Sequence, residues 1–448
     1  MIYIIFIMTL SFLAANYLIA KKDFFNPGVI FCGVFTISEI LCILFQKEYE
    51  ITFHYKTLIV LLLGFSVFTG LNYLFAKKKA DHDAKPGAPA RIVISDKVFY
   101  IFIALQVIAI IAFIVYLYRI SAAYDGKARS LGEMINLYDT MTKFWRKKFI
   151  KLDVPIPMAY RVLNPFVYLG GYLSVYVLVN NWFAEHRIDK RSVISVVLLI
   201  VLIMLNGSRS PVLRIITMVI ILAYIIGYRS GAIQIGNIKN LKKILLYGVL
   251  AVAVLILMVK VIRPEKNIGD LGDYLFIYSG APLVNLNTFL VKFSGWPSGR
   301  FFGEQTFRYL YNYIGKWLGI KKLETYDSIN AFAFSANGKE IGNVYTCFYY
   351  LLFDFGYIGM PVMIGIMAYY YFREYHRSMT AETLGALDLR LFIYAYLFND
   401  LVMSFFSTRF YETTCSPEFL KMCAVLLLGK YILKRRHAAI TADTTGAD

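Results

Sequence analysis

The chain has 448 residues, a formal net charge of +18 and a mean hydropathy of +0.58. Hydrophobic residues make up 58% of it, against about 45–50% in an ordinary soluble domain, which excludes an organisation into soluble domains. No basic run is interleaved with stacking aromatic residues in a polar stretch. We therefore expect no nucleic-acid partner and interpret about half of the positive charge as a signal of membrane topology.

Apolar runs recur along the whole chain and predict eleven membrane-spanning helices, because about 20 apolar residues cross a hydrocarbon core of roughly 30 Å. The predicted spans cover residues 2–20, 28–46, 57–76, 98–118, 157–182, 192–206, 211–228, 244–263, 344–372, 386–404 and 418–434. The first run lacks a small-residue cleavage site and precedes Lys21 and Lys22, so we expect a retained helix. The predicted fold class is an all-α polytopic membrane protein, with residues 1–448 as a single integral membrane domain.

The distribution of Lys and Arg predicts that the N-terminus lies outside and the C-terminus inside. With that orientation the inward loops and the tail hold 20 basic residues, whereas the three short outward loops hold 4. Basic residues concentrate on the cytoplasmic side of membrane proteins. The outward segment 121–156 is an exception with seven basic residues, so we expect these charges to meet an anionic partner outside.

Two outward segments, 121–156 and 265–343, are much longer than the other loops. Their length indicates that the protein functions at the outer face of the membrane. In the first, apolar and aromatic positions fit one face of a helix that ends in a basic cluster. This helix either lies on anionic lipid headgroups or captures a lipid-linked pyrophosphate. The second is too aromatic to be disordered, and residues 304–318 predict an amphipathic helix. Its aromatic residues either lie at headgroup level or line a groove that stacks on sugar rings.

The sequence excludes most catalytic constellations. Its five histidines form no pair with metal-ligand spacing, and its five cysteines form no CxxC pair. It contains no GxSxG motif, no P-loop and no GxGxxG motif before a strand. We therefore expect neither a metal nor a cofactor.

Arginines near the predicted outer surface are the main candidates for binding an anionic substrate. A guanidinium is always charged, and its planar fork of donors matches a phosphate. The candidates are Arg129, Arg161, Arg209, Arg214, Arg300 and Arg409. Snorkelling to the interface explains Arg263 and Arg308 well, but it explains Arg214 poorly because this residue lies a turn inside its helix. Charges at such a depth usually face the interior of the bundle and mark a function.

The hairpin tip LNGSRSPVLRII, residues 205–216, predicts an anion site at the start of a helix. Pro211 suits the first turn, and Ser210 can cap it. The free N–H groups of that turn and the helix dipole attract an anion. Arg209 stands at the mouth of this site, and Arg214 flanks it from one turn further on.

Three acidic residues at the same depth are candidate catalytic bases: Asp354, Asp400 and Glu304. A base would need a pKa set by burial and by the neighbouring arginines. The alternative for each is an ion pair with one of those arginines, and the sequence leaves both open.

These motifs make the chain resemble the Wzy-type polymerases of oligosaccharide repeat units. The resemblance rests on NGSRSPVLR (206–214), YSGAPLVNLNTFL (278–290), GNVYTCFYYLLFDFGYIGM (342–360) and two large outer loops on a helical bundle. It implies a GT-C-like membrane glycosyltransferase in the bacterial inner membrane, with its active site facing the periplasm. The enzyme would transfer a growing glycan from undecaprenyl pyrophosphate to the next lipid-linked unit during synthesis of O-antigen, capsule or exopolysaccharide.

The resemblance also implies roles for individual residues. Arginines would bind the pyrophosphate, a carboxylate would accept the proton of the acceptor hydroxyl, and aromatic residues such as Tyr278 would hold the glycan. The implied partners are the lipid-linked oligosaccharide, membrane lipid, a chain-length regulator and a flippase. The alternatives are a flippase or transporter of the lipid-linked unit, an O-antigen ligase-like glycosyltransferase and a non-catalytic scaffold. The ligase is disfavoured because 265–343 contains no histidine.

Overall fold

The computed structural model describes residues 1–78, 89–125, 130–148, 154–207, 210–236, 271–323, 330–380 and 387–427. Within these ranges the chain is a bundle of helices with one two-stranded antiparallel hairpin, so an all-α membrane protein is confirmed as its class. The helices are α1 (Ile2–Ile19), α2 (Pro27–Leu44), α3 (Tyr55–Lys78), α4 (Asp96–Asp125), α5 (Leu131–Lys148), α6 (Met158–Glu185), α7 (Lys190–Leu205), α8 (Ser210–Arg229), α9 (Leu271–Leu275), α10 (Ala281–Lys292), α11 (Arg308–Leu318), α12 (Phe348–Thr380), α13 (Leu389–Val402) and α14 (Arg409–Thr414). A π-helix, Phe276–Gly280, joins α9 to α10, and the hairpin pairs β1 (Ala333–Phe334) with β2 (Glu340–Gly342).

Eight helical segments of the described residues are long and apolar enough to cross a membrane. Seven of them coincide with predicted spans: α1, α2, α3, α4, α6, α8 and α12. The predicted spans 192–206 and 386–404 are the shorter helices α7 and α13, of 16 and 14 residues. Span 244–263 and the end of span 418–434 lie outside the described residues, so the count of eleven stays a prediction.

The eighth segment, Gly272–Lys292, falls inside the predicted outer loop 265–343 and was not predicted as an apolar helix. This segment forms hydrogen bonds with α2, with α3 and with the turn between them. Tyr49 Oη donates to Asp273, Ser38 Oγ to the carbonyl of Ser279, and Thr57 Oγ1 to Asn287, at 2.9, 2.6 and 2.8 Å. The segment therefore lies against one end of the bundle.

The turns between helices gather at two opposite ends of the bundle. At one, the Asp23 end, Asp23 accepts hydrogen bonds of 2.6 Å from Tyr224 on α8 and from Tyr375 on α12. At the other, the Arg409 end, Thr408 Oγ1 donates to the carbonyl of Cys347, and Arg409 donates to Ser210. The membrane side that each end faces stays a prediction.

The long helix α12 is kinked where a loop docks onto it. Gly356 has φ 65° and ψ −168°, a conformation that strongly favours glycine. A Cβ at this position would lie 2.7 Å from the carbonyl oxygen of Gly295. The same loop donates from Ser298 N to the carbonyl of Phe353 at 2.7 Å. This docking fixes residues 294–307 against the Arg409 end.

Both outer helices predicted from the sequence are present. In α5, Ser130 and Glu133 form a reciprocal capping box, and Ile135 and Met141 are buried. The predicted helix 304–318 begins only at Arg308, because residues 300–307 form a turn tied to α12. Its face with Tyr309, Tyr313 and Trp317 is exposed, in agreement with the amphipathic pattern.

Candidate functional site

A buried ion pair joins α8 to α13 near the Arg409 end. Arg214 Nη2 lies 2.7 Å from Asp400 Oδ1, and the exposed fractions of the two side chains are 11% and 0%. The same nitrogen donates to Thr413 Oγ1 at 3.3 Å. Removing one partner of such a pair would leave an uncompensated buried charge. The pair therefore locks the two helices together.

Helical spacing explains how the guanidinium is enclosed. Tyr396 and Asp400 are four residues apart, so they share one face of α13. The Cζ atom of Arg214 lies 4.2 Å from the centre of the Tyr396 ring, within the range of a cation–π contact. The predicted inward orientation of Arg214 is observed, and its partner is Asp400. Of the two roles that the sequence left open for Asp400, the structure contains the ion pair. The second oxygen, Oδ2, is buried and makes no hydrogen bond within the described residues.

Arg409 brings a second guanidinium to the same region from the first turn of α14. Its Nη2 lies 3.4 Å from Ser210 Oγ, the first residue of α8. Its Nε is buried and makes no hydrogen bond to the part of the chain that the structure describes. The hydroxyl of the nearby Ser407 is also buried and likewise makes no hydrogen bond to the described residues. Unsatisfied buried donors of this kind are rare in native proteins and call for an explanation, such as a role in binding a ligand.

Aromatic rings form the outer edge of this site. Phe406 packs beneath the Arg409 guanidinium, with 5.8 Å between Cζ and the ring centre. The ring of Tyr278 is nearly parallel to that of Phe406, at 7° and 6.4 Å between centroids. Tyr274 extends the row at 4.6 Å from Tyr278. Tyr278 is 43% exposed, so the row is open to a ligand. We call Arg214, Asp400, Arg409, Ser210, Phe406 and Tyr278 the Arg409 site.

Asp354, a second predicted base, anchors the 300–307 turn. Its carboxylate accepts hydrogen bonds from the backbone N–H groups of Gln305 and Thr306 and from Thr306 Oγ1. The two shortest are 2.6 Å. Three donors occupy most of the acceptor positions of a carboxylate. This geometry favours a structural role for Asp354 over that of a proton acceptor.

Glu304, the third predicted base, is paired with the predicted anion ligand Arg300. Arg300 donates to it through Nε, Nη2 and its backbone N–H at 2.9, 2.6 and 2.7 Å. Burial acts to raise the pKa of Glu304, but these hydrogen bonds and the charge of Arg300 outweigh it and lower the pKa below its usual value. The pair is internally neutral, and the side chain of Arg300 is 64% exposed. Neither residue belongs to the Arg409 site.

The remaining predicted ligands are not brought to this site within the described residues. Arg161 is exposed in the first turn of α6. Arg129 and Arg209 lie outside the described residues, as does Arg263, so their roles stay predictions. Residues 143–148 belong to α5, but the structure does not describe their side chains, so the role of this basic cluster also stays a prediction.

Sequence reasoning missed three residues of the neighbourhood: Tyr396, Phe406 and Thr413. Tyr396 could have been found, because it lies one helical turn before the embedded Asp400. Phe406 and Thr413 carry no comparable signal, since their proximity to the arginines depends on how the chain turns after α13.

Comparison of the chain with protein-family models, with curated proteins and with solved structures gives no match. The class defined by the fold, a polytopic α-helical membrane protein, is therefore established on the structure itself.

Proposed function

We propose that the protein is a membrane glycosyltransferase that polymerises oligosaccharide repeat units carried on undecaprenyl pyrophosphate, as the sequence resemblance implies. The observation that carries the proposal is the charge balance of the Arg409 site. Asp400 forms an ion pair with Arg214, and the second guanidinium, of Arg409, forms no ion pair within the described residues. A bound diphosphate would supply the missing negative charge and an acceptor for Arg409 Nε.

The proposed reaction forms one glycosidic bond and breaks one bond to pyrophosphate. A hydroxyl of the incoming lipid-linked unit attacks the anomeric carbon of the growing chain, and the bond from that carbon to the carrier pyrophosphate breaks. Arg409 stabilises the charge that develops on the leaving group. The hydroxyl proton passes to Asp400 Oδ2, the buried carboxylate oxygen without a hydrogen bond. Of the three predicted bases, Asp400 keeps the most acceptor capacity.

The aromatic row supports the glycan part of the proposal. A sugar ring presents apolar C–H faces to the flat rings of Tyr278 and Phe406, and Tyr278 is partly exposed. Specificity in ligand sites commonly comes from apolar and aromatic walls with a few convergent polar groups. The row lies directly against Arg409, as a sugar joined to a pyrophosphate requires.

The test is polymerisation by the purified chain in lipid nanodiscs supplied with lipid-linked repeat units. The wild type is expected to produce a ladder of polymer lengths. Arg409→Ala is expected to lower the rate about 10²–10³-fold, the usual loss for one transition-state donor. Arg161→Ala is the matched control, because it removes an exposed arginine outside the site and is expected to leave the ladder unchanged. A ladder unaffected by Arg409→Ala contradicts the proposed site.

A transporter of lipid-linked oligosaccharide is the second candidate, and the Asp23 end favours it. Asp23, Asn26 and Asn72 are buried at the end opposite the Arg409 site. They line a small pocket that opens to solvent. A transporter needs polar groups at both ends of its path. Translocation of the lipid-linked unit in liposomes without elongation would favour this candidate over the polymerase.

A further inference from the structure

The carboxyl group of Glu39 lies inside the bundle and has no part in the Arg409 site. Glu39 is on α2, five residues before its end at Leu44, and its exposed fraction is 0%. It faces Thr9 on α1, which is likewise fully buried. An isolated carboxylate is very costly in such surroundings, and the common response is neutralisation or pairing.

Pairing with a cation is not observed. The ion pairs of the described residues involve other carboxylates, and Glu39 Oε2 is buried without a hydrogen-bond partner there. The titratable neighbours of Glu39 on its own helix are the thiols of Cys32 and Cys42. Both are buried and interact with polar groups, Cys32 with Asn16 Nδ2 and Cys42 with the carbonyl of Gly280. Neither supplies a positive charge.

The hydrogen bonds of Thr9 identify where a proton is needed. Thr9 Oγ1 lies 3.0 Å from the carbonyl oxygen of Ile5 and 2.7 Å from Glu39 Oε1. Both of these partners are acceptors if Glu39 is ionised, but a threonine hydroxyl carries a single proton. If Glu39 Oε1 is protonated, it donates to Thr9 Oγ1, and Thr9 donates to Ile5. A neutral acid thus satisfies both contacts, whereas a carboxylate satisfies only one.

We infer that Glu39 is a proton-binding site within the membrane, held as a neutral carboxylic acid at neutral pH. The geometry assigns the proton as the ligand of Glu39. The neutral acid is also a site that apolar carbodiimides can modify covalently. In that reaction the acid proton moves to a carbodiimide nitrogen while Oε1 or Oε2 bonds to the central carbon. The O-acylisourea then rearranges to an N-acylurea without a leaving group, so the side chain gains the mass of one whole carbodiimide.

The other embedded acids provide internal controls. Asp400 is paired with Arg214, and Asp354 accepts three hydrogen bonds. The ion pair of Asp400 and the donated hydrogen bonds of Asp354 favour the ionised form of each group, and Glu39 has no such partners among the described residues. An apolar carbodiimide requires a protonated acid, so the inference predicts selective labelling of Glu39.

The experiment uses the full chain in lipid nanodiscs, treated with dicyclohexylcarbodiimide and mapped by peptide mass spectrometry. Labelling is expected on the peptide that contains Glu39 and is expected to vanish in Glu39→Gln. This variant should fold normally, because its amide can donate to Thr9 Oγ1 as the neutral acid does. Labelling of Asp400 or Asp354 with an unlabelled Glu39 overturns the inference.

Infrared spectroscopy provides a second readout that does not depend on reagent access. A neutral carboxylic acid has a carbonyl stretch that is well separated from the carboxylate bands. The difference spectrum of wild type minus Glu39→Gln is expected to contain this band, and that of wild type minus Asp400→Asn is expected to lack it. A carboxylate band in the Glu39 difference spectrum contradicts the inference, whatever the labelling result.

Discussion

At the scale of single residues, the two arginines of the Arg409 site differ in how much of their bonding capacity is used. Arg214 has a carboxylate, a hydroxyl and an aromatic face as partners. Arg409 has one long hydrogen bond and one ring contact. We therefore expect Arg214 to contribute mainly to stability and Arg409 mainly to ligand binding.

The Arg214–Asp400 pair gives the first stability prediction. Arg214→Met is expected to lower the free energy of unfolding by about 3–5 kcal/mol, because it leaves Asp400 as an unpaired buried charge. The double variant Arg214→Met, Asp400→Leu is expected to recover most of this loss. Unfolding in nanodiscs measures both, with exposed Arg161→Met as the control. Equal destabilisation in the single and double variants would count against a buried ion pair.

The pair of Arg300 and Glu304 predicts a pH dependence of the 300–307 turn. Because the pKa of Glu304 is lowered in the folded protein, its contribution to stability is complete above its ordinary value of 4.5 and is lost as the pH falls through the lower folded value. Proteolysis of the turn is therefore expected to accelerate only at acidic pH. Glu304→Gln should remove this pH dependence, and an unchanged acid response in that variant would exclude the pair as its cause.

At the scale of elements, sequence periodicity predicted well where helices form. It predicted less well which helices are apolar enough to lie within the membrane. The spans with long apolar runs appear as α1–α4, α6, α8 and α12, and the capping box Ser130–Glu133 marks the start of α5. The segment Gly272–Lys292 was missed because its polar residues, such as Asn285 and Asn287, resemble loop composition. These amides bond to the carbonyls of Val344 and Thr52, which are distant in sequence. No local pattern indicates such partners.

The docked loop at Gly356 gives a prediction for an element. Gly356→Ala forces a left-handed conformation on a residue with Cβ and places it 2.7 Å from the carbonyl oxygen of Gly295. We expect a loss of roughly 1–3 kcal/mol and faster proteolytic cleavage within 294–307. Gly365→Ala on the same helix is the matched control, since its Cβ meets Val67 at an ordinary 3.7 Å. Similar cleavage rates in the two variants would contradict the docking.

At the scale of the whole molecule, the two ends of the bundle could be predicted from alternating spans, but the pairing of helices could not. Arg214 and Asp400 are 186 residues apart, and their contact depends on how α8 packs against α13. The sequence placed both near one membrane surface without indicating that they touch. The three predicted bases illustrate the same limit, because the partner of each decides its role.

The orientation of the two ends in the membrane is a prediction for the whole molecule. The Arg409 end is expected to face the periplasm, because the loops at the opposite end carry the excess of Lys and Arg. A cysteine at the exposed Ala336 is expected to react with a membrane-impermeant maleimide added to intact cells. A cysteine at the exposed Arg187 is expected to react only after the cells are opened. The reverse pattern would invert the topology.

The kink at Gly356 bears on how deep the Arg409 site lies in the membrane. At about 1.5 Å per residue, the 33 residues of α12 would span about 50 Å, well beyond a hydrocarbon core of roughly 30 Å. The part after the kink suffices for the crossing. Tyr411, two residues past Arg409, donates to the carbonyl of Met363, seven residues or about 10 Å below the kink. The diphosphate that we propose for the Arg409 site would therefore bind below the level of the kink. Its isoprenoid tail would stay among the acyl chains, and its sugars would require a hydrated vestibule above them.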